Sequence, residues 1–433
     1  MHITFDVLVV GAGPAGVSAA IEMAAGGAMV LLVEQRSTIG GAIHRSRYDG
    51  TLSPVFMPAR HKRNWTRLKE RMNALSSQIR LMTEAVFLGI DGDGYCVIDH
   101  RRAQEVKLVR PKAVLFAVGA SEQLFHAEGW NLPGVVTAGG LQVQIKETGI
   151  APVGRILVAG SGPLPLALSA QLAKLGNAPV AILEPADPIR KLICHPSASL
   201  GLLAGSAQLA EGFRYAATLL SARTRYKVGA TVEEISKDRD GLRVVANESG
   251  QAKVYEADLV ILHDGLASNS SGLPKSDIGA LIVERAGDCS EVLGADAAIV
   301  DGRRVGKLIL DRLFSTPEKR ISLQLLKAKV FQRSMSLLFE RPTQPIQGDA
   351  VVCRCEGVRR RDIQPASLCS ARELKLINRV GMGACQGRFC EKAAAAIALE
   401  EAHLVARNEM DESGSRWPIR PVSVAALAKA SQI

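Results

Sequence analysis

The sequence predicts an α/β chain in which one dinucleotide-binding unit is interrupted by a second, with a small cysteine-bearing domain behind them. Three observations predict it. A β-branched run opens the chain and breaks into a glycine turn followed by an alanine-rich helix. The same strand–turn–helix order returns about 150 residues later. Near the far end, four cysteines stand in a C-x-C and a C-x4-C.

The bulk numbers are compatible with this architecture. A chain of 433 residues, 47% hydrophobic and 22% charged, has room for two or three domains with sizeable cores. No apolar run reaches the roughly 20 residues of a membrane-spanning helix. The opening "MHITFDVLVVGAG" enters a strand with no basic region or cleavage site, so a cytoplasmic protein is expected. In that reducing setting the eight cysteines are not expected to form a disulfide framework. The net charge of +10 suits either a nucleic-acid or anionic surface, or polyanionic cofactors and an acidic partner. Its cations are scattered, apart from "RHKR" at 60–63 and "RRR" at 359–361, and no aromatic residues interleave them. No nucleic-acid partner is expected.

The first unit follows in order. "FDVLVV" (5–10) is suited to a buried parallel strand. Gly11, Gly13, Pro14, Ala15 and Gly16 form the turn and the helix start. Gly11 permits the tight bend, Gly13 admits a pyrophosphate to the backbone N–H groups, and Gly16 lets helix and strand approach. The helix N-terminus then faces the negative charge. Gly26-Gly27 stop the helix, and the next strand ends at Glu34, placed to accept hydrogen bonds from ribose hydroxyls, with Gln35 and Arg36 beside it. The strand within 110–121 closes the unit and brings Ala117 and Gly119 to the cofactor.

A strand ending in Gly287-Asp288, followed by a small-residue helix, resembles the second FAD motif of two-dinucleotide-domain flavoproteins. The aspartate of that motif binds the ribityl chain, and Gly40-Gly41 match the glycine pair that lines the cofactor in such proteins. Asp288 could instead cap the following helix; together with the N-terminal turn, the FAD reading is preferred. The second unit (154–176) carries Gly160 and Gly162, with Glu184 ending its next strand, and "EADLVILHDG" (256–265) closes it. Pro165 takes the third glycine position. NAD, another adenine nucleotide and a structural remnant all stay open here.

"GGAIHRSRYDG" (40–50) has no cysteine and the chain has no CxxC, which argues against dithiol chemistry. Cys353, Cys355, Cys385 and Cys390 can hold a tetrahedral zinc or the two irons of a 2Fe–2S cluster. A flavin takes up electron pairs and releases electrons singly, so a neighbouring one-electron carrier favours iron–sulfur. Cys369 is expected to be packed on a helix, and Cys96, Cys194 and Cys289 to be buried small hydrophobes.

The segment "VCRCEGVRRRDIQPA…LKLINRVGMGACQGRFC" resembles the domain named for bacterioferritin-associated ferredoxin (BFD-like), which carries a 2Fe–2S cluster. Joined to the FAD turn and to "FAVGASEQLFHAEGWNLPGVVTAGGLQ" (116–142), it makes the whole chain similar to the α (A) subunits of heteromeric amine dehydrogenases. That group includes opine oxidases, dye-linked proline and D-hydroxyproline dehydrogenases, and the hydrogen cyanide synthase complex. The resemblance implies a Rossmann-like FAD domain (1–145 and 266–335), an inserted NAD-like domain (146–265), a BFD-like domain (345–410) and a tail (411–433). It implies a D-amino-acid-oxidase-like β subunit, with its own FAD, that oxidises the C–N bond of an amino or imino acid. It further implies FMN at a subunit interface, a small ferredoxin-like γ subunit in some complexes, and contact with a membrane surface through the electron acceptor. No residue here reads as an acid or base for substrate. The competing class is a stand-alone NAD(P)H-dependent reductase. Pro165 and "HDGLASNSSG" (263–272) depart from the pattern of relatives.

Overall fold

In the computed structural model, which describes residues 4–47, 58–315, 322–341, 345–346, 348–363, 371–402 and 417–432, the chain divides into two compact units. The first comprises Met1–Ser121, Leu266–Ala328 and Ser415–Ile433; the second comprises Glu122–Gly265 and Lys329–Gly414.

The first unit is built on five parallel strands in the order Ile282–Arg285, Ala113–Phe116, Val7–Val10, Val30–Val33, Ile79–Met82. Every residue of the three central strands is buried, which is why they read as unbroken apolar runs rather than alternating ones. Val7 and Val9 point into a core shared with helices Pro14–Ala25 and Ala295–Phe314. Leu8 and Val10 point the other way, into a core shared with the strands Ala85–Ile90 and Cys96–His100. Those strands belong to a four-stranded sheet completed by Glu105–Val109 and Ser431–Gln432. The two helices meet backbone to backbone. A Cβ at Gly302 would lie 2.1 Å from the Ala15 carbonyl oxygen, so only glycine fits there.

The second unit repeats the plan with the parallel order Arg225–Val228, Ala181–Glu184, Ile156–Gly160, Leu259–His263, Val135–Thr137. A three-stranded antiparallel sheet (Ala230–Asp238, Gly241–Glu248, Gln251–Ala257) packs on it through Val232, Leu242, Val244 and Ala246. Val135–Thr137 pairs with Val260–Leu262, and the helix Ala138–Thr148 follows at once, capped by the Thr137 hydroxyl. The first crossing between units therefore falls at Ser121/Glu122, not at the expected 145, while the return falls at Gly265/Leu266.

The cysteine-bearing segment groups with the second unit. A short ribbon, Val351–Cys353 with Val358–Arg359, and the helices Ala371–Asn378 and Glu391–Ala402 enclose a small core of Val352, Ile363, Leu374, Ala394 and Ile397. Trp130 Nε1 donates to the Val351 carbonyl at 2.7 Å, anchoring the ribbon. Cys369 and residues 403–416 lie outside the described residues. Cys96 and Cys289 are buried as expected, but Cys194 is exposed, because its helix Pro188–Cys194 buries none of its residues.

Candidate cofactor sites

The residues expected to hold the first cofactor leave the carboxyl edge of one sheet. Gly11 follows Val10, Glu34 follows Val33, Ala117 follows Phe116, and Ala286-Gly287 follow Arg285; the terminal residues of these four strands pair in register. Ligands of open parallel sheets bind at this edge. Gly11 has φ +104°, and its Cβ would sit 2.5 Å from the Ala117 carbonyl oxygen. A Cβ at Gly16 would sit 1.9 Å from the Gly11 carbonyl oxygen. Around Gly13 the nearest atom to such a Cβ is Gly41 Cα, at 3.7 Å. Gly40 donates to the Ala12 carbonyl at 2.8 Å, so the Gly40-Gly41 pair lies against the turn.

The acidic residues are already engaged by the backbone. Glu34, buried, accepts from the N–H groups of Ala12 and Arg36, each at 3.0 Å; Gln35 and Arg36 are exposed beyond it. Asp288 Oδ1 accepts from Leu293 and Gly294 at 3.0 Å, ahead of the helix Ala295–Phe314. Burial pushes the Asp288 carboxyl up, helped by nearby Asp301 and opposed by those two N–H groups. Gly119, at φ +72°, has open space where a Cβ would stand. Asp301 was not legible as a site residue, yet its Oδ2 accepts from the Gly287 N–H at 2.8 Å and fixes that turn. A carboxylate nearly two turns into a helix carries no motif.

At the second turn, Gly160 (φ +152°) and Gly162 (φ +99°) keep the glycine geometry. Glu184, almost wholly buried, accepts from Gly162 at 3.1 Å and Ala186 at 3.0 Å. Burial raises its carboxyl pKa against these bonds and against the nearby Tyr226 hydroxyl. The helix Pro163–Lys174 starts with proline at its first and third positions, so its first turn offers one N–H fewer than Pro14–Ala25. The chain itself also crosses this turn. Ser161 Oγ donates to the Phe339 carbonyl at 2.7 Å, Lys191 donates to the Glu340 carbonyl, and Arg341 pairs with Asp264 at 2.6 Å. His263 in turn meets Glu122 at 2.6 Å. The unusual "HD" that departs from the pattern of relatives is thus accounted for: both side chains have partners within the second unit.

The four terminal cysteines lie close enough to influence one another. Cys353 and Cys390 act most strongly on each other, as do Cys355 and Cys385, and Cys390 also feels Cys385 and Cys355. The Cys390 thiol, with help from the N–H groups of Gly381, Glu356 and Cys355, draws the Cys353 pKa down to about 5 against the effect of burial. Cys390 is pushed up by Cys353 and by burial. Cys355 accepts an N–H from Cys385, yet burial, the Cys385 side chain and the neighbouring Cys353 raise its pKa overall. The loop needs its glycines: a Cβ at Gly383 would fall 2.3 Å from Cys355 Cβ, and Gly381 and Gly387 have φ +80° and +84°. Arg388, unremarked in the sequence, stands half-buried beside Cys385. Among the described residues no three His, Cys, Asp or Glu surround one ion position. The cysteine thiols are donors of the type that zinc or an iron–sulfur cluster takes.

Two glycine turns, each at the carboxyl edge of its own parallel sheet, define a doubled dinucleotide-binding fold. The chain belongs to the pyridine nucleotide-disulphide oxidoreductase family, whose profile matches residues 5–287. It is 28% identical over 472 residues to the A-type subunit of opine oxidase from Agrobacterium tumefaciens (strain Ach5), covering 98% of this chain and 91% of the relative. It is 30% identical over 424 residues to hydrogen cyanide synthase subunit HcnB of Pseudomonas aeruginosa, covering 88% of this chain and 90% of the relative. Among solved structures, L-proline dehydrogenase from P. horikoshii superposes with a TM-score of 0.64 at 16% identity, over 98% of this chain and 79% of that one. Thioredoxin reductase from T. acidophilum does so at 0.52 and 17% identity, over 72% and 99%. These two likenesses establish the fold. Among the described residues no helix is long and apolar enough to cross a membrane.

Proposed function

We propose that this chain is the electron-transferring A-type subunit of a heteromeric, flavin-dependent amino- or imino-acid dehydrogenase. The relatives named as subunits of opine oxidase and hydrogen cyanide synthase support this. In this reading Gly11, Gly13, Pro14, Ala15, Gly16, Glu34, Gly40, Gly41, Ala117, Gly119, Gly287 and Asp288 hold FAD, and Gln35 and Arg36 flank its adenosine end. Cys353, Cys355, Cys385 and Cys390 hold a 2Fe–2S cluster. FAD takes up an electron pair and releases electrons singly, and the cluster carries single electrons onward. A D-amino-acid-oxidase-like FAD subunit oxidises the C–N bond; FMN at a subunit interface and a small ferredoxin-like chain complete the complex. What supports the reading is the gathering of the four cysteines around the glycine loop 381–387, in a chain that also has an intact dinucleotide turn.

Anaerobically purified protein should contain two irons and two sulfides per chain. Cys385→Ser should abolish the visible absorption of the cluster and its reduced-state EPR signal while keeping FAD. One zinc and no iron in the wild type would overturn the assignment.

The reductase alternative rests on the intact Gly160-Ser161-Gly162 turn and Glu184. The prolines at 163 and 165 and the chain segment 339–341 across that turn support the relay reading instead. Addition of NADH should leave the flavin of the isolated chain oxidised; rapid bleaching would establish the reductase.

A further inference from the structure

The second unit connects Ala181–Glu184 to Arg225–Val228 through three helices, Pro188–Cys194, Pro196–Leu202 and Ser206–Ser221. The last is apolar on two faces. Leu219 is buried, with Gly212 and Tyr215 half-buried on the same inner side. Ala210, Phe213, Ala217 and Leu220 are all exposed, at spacings of three, four and three residues. That is the period of a helix face, here turned outward. Phe213 is 74% and Leu220 78% exposed. The two shorter helices add exposed Ile189, Ile193 and Leu200, with Leu203 just after them, and the helices pack against one another in succession. A solvated helix places polar residues on such a face; contiguous large apolar side chains mark a surface that another molecule covers.

The rim says what kind of molecule. Residues 188–227 contain Arg190, Lys191, Arg214, Arg223, Arg225 and Lys227 against the single acid Glu211. Arg190, Arg214, Arg223 and Arg225 are exposed. A second copy of this chain docking by two-fold symmetry would set these cations against themselves, at a cost. We propose that this face docks another protein subunit of the same complex, one that presents an apolar ridge bordered by carboxylates. The proposal rests on the heteromeric-subunit reading above.

The test uses the full chain and its separately purified substrate-oxidising subunit. Phe213→Glu/Leu220→Glu should weaken their complex by about 100-fold or more, since buried aromatic and aliphatic anchors dominate such interfaces. FAD content and melting temperature should stay at wild-type values; Phe213→Ser/Leu220→Ser serves if the charged pair misfolds. Arg214→Glu/Arg223→Glu should slow association and flatten its salt dependence. Exposed Cys194 gives a native reporter: its alkylation, read by peptide mass spectrometry, should fall several-fold in the complex. A double variant that binds its partner as the wild type does, with Cys194 equally reactive, overturns the assignment and leaves the subunit reading standing. So does loss of self-association, or of binding to phosphatidylglycerol-containing vesicles, with partner affinity unchanged. Absence of any complex with the wild-type chain overturns both.

Discussion

Gly13 and Gly16 stand three residues apart in one turn and serve different masters. A Cβ at Gly16 would collide with the Gly11 carbonyl, whereas one at Gly13 meets nothing closer than 3.7 Å, and Gly13 has an ordinary φ of −78°. Gly16→Ala should therefore cost about 3 kcal/mol of stability, read in thermal melts. Gly13→Val should melt like the flavin-free wild type and purify without FAD, read as the flavin-to-protein absorbance ratio. Full flavin in that variant would refute the assigned turn. The sequence already assigned Gly13 to a ligand and Gly16 to close helix–strand approach; the atoms that each would meet, Gly41 Cα and the Gly11 carbonyl, come from the fold. Asp264 is a second case. Burial holds its carboxyl up to a pKa of about 6, although Arg341 and His263 favour the ionised form. Its pKa in the unfolded chain is about 3.9. The native state thus binds the extra proton, and this residue's contribution to stability falls as pH rises from about 4 to about 6, by roughly 2–3 kcal/mol. Asp264→Asn should flatten that slope and melt above the wild type at pH 7.

Among the elements, both strand–turn–helix units were legible because a β-branched run, a glycine turn and an alanine-rich helix are local signals. The boundary at Ser121/Glu122 was not. Val135–Thr137 is three residues long, and only its pairing with Val260–Leu262 assigns it to the second sheet. Nor was the crossing of the second turn by 339–341, since Ser161 and Phe339 are 178 positions apart. That crossing makes a prediction of its own. Arg341→Ala removes the cation facing Asp264, so the carboxyl should stay protonated to higher pH and the segment should loosen. Amide hydrogen exchange at Ser161 and Gly162 should accelerate about tenfold, for a local loss of about 1.4 kcal/mol. Unchanged exchange would mean that 339–341 merely passes by. Spacing suggested the four cysteines as one set; that Cys353 acts chiefly on Cys390, and Cys355 on Cys385, came from the fold.

For the whole molecule, the division of labour proposed above predicts that the isolated chain oxidises no amino or imino acid with an artificial dye acceptor. Addition of the partner subunit should restore turnover, and Cys385→Ser in the reconstituted complex should stop dye reduction while substrate still bleaches the partner's flavin. Turnover by the isolated chain would contradict the proposal. A last consequence concerns biosynthesis. All strands of the second parallel sheet lie between residues 135 and 263, whereas the first unit awaits Ile282–Arg285, the helix Ala295–Phe314 and, at its outer sheet, Ser431–Gln432. Trp417 must also arrive to cover Gly89, where a Cβ would stand 2.5 Å from its ring. At about 5–20 residues per second, a ribosome needs roughly 10–40 seconds to pass from Phe116 to Phe314. For that interval Val7–Val10 and its neighbours lack the helix that covers one face, and a nascent-chain chaperone would find them there. The half translated first is completed last.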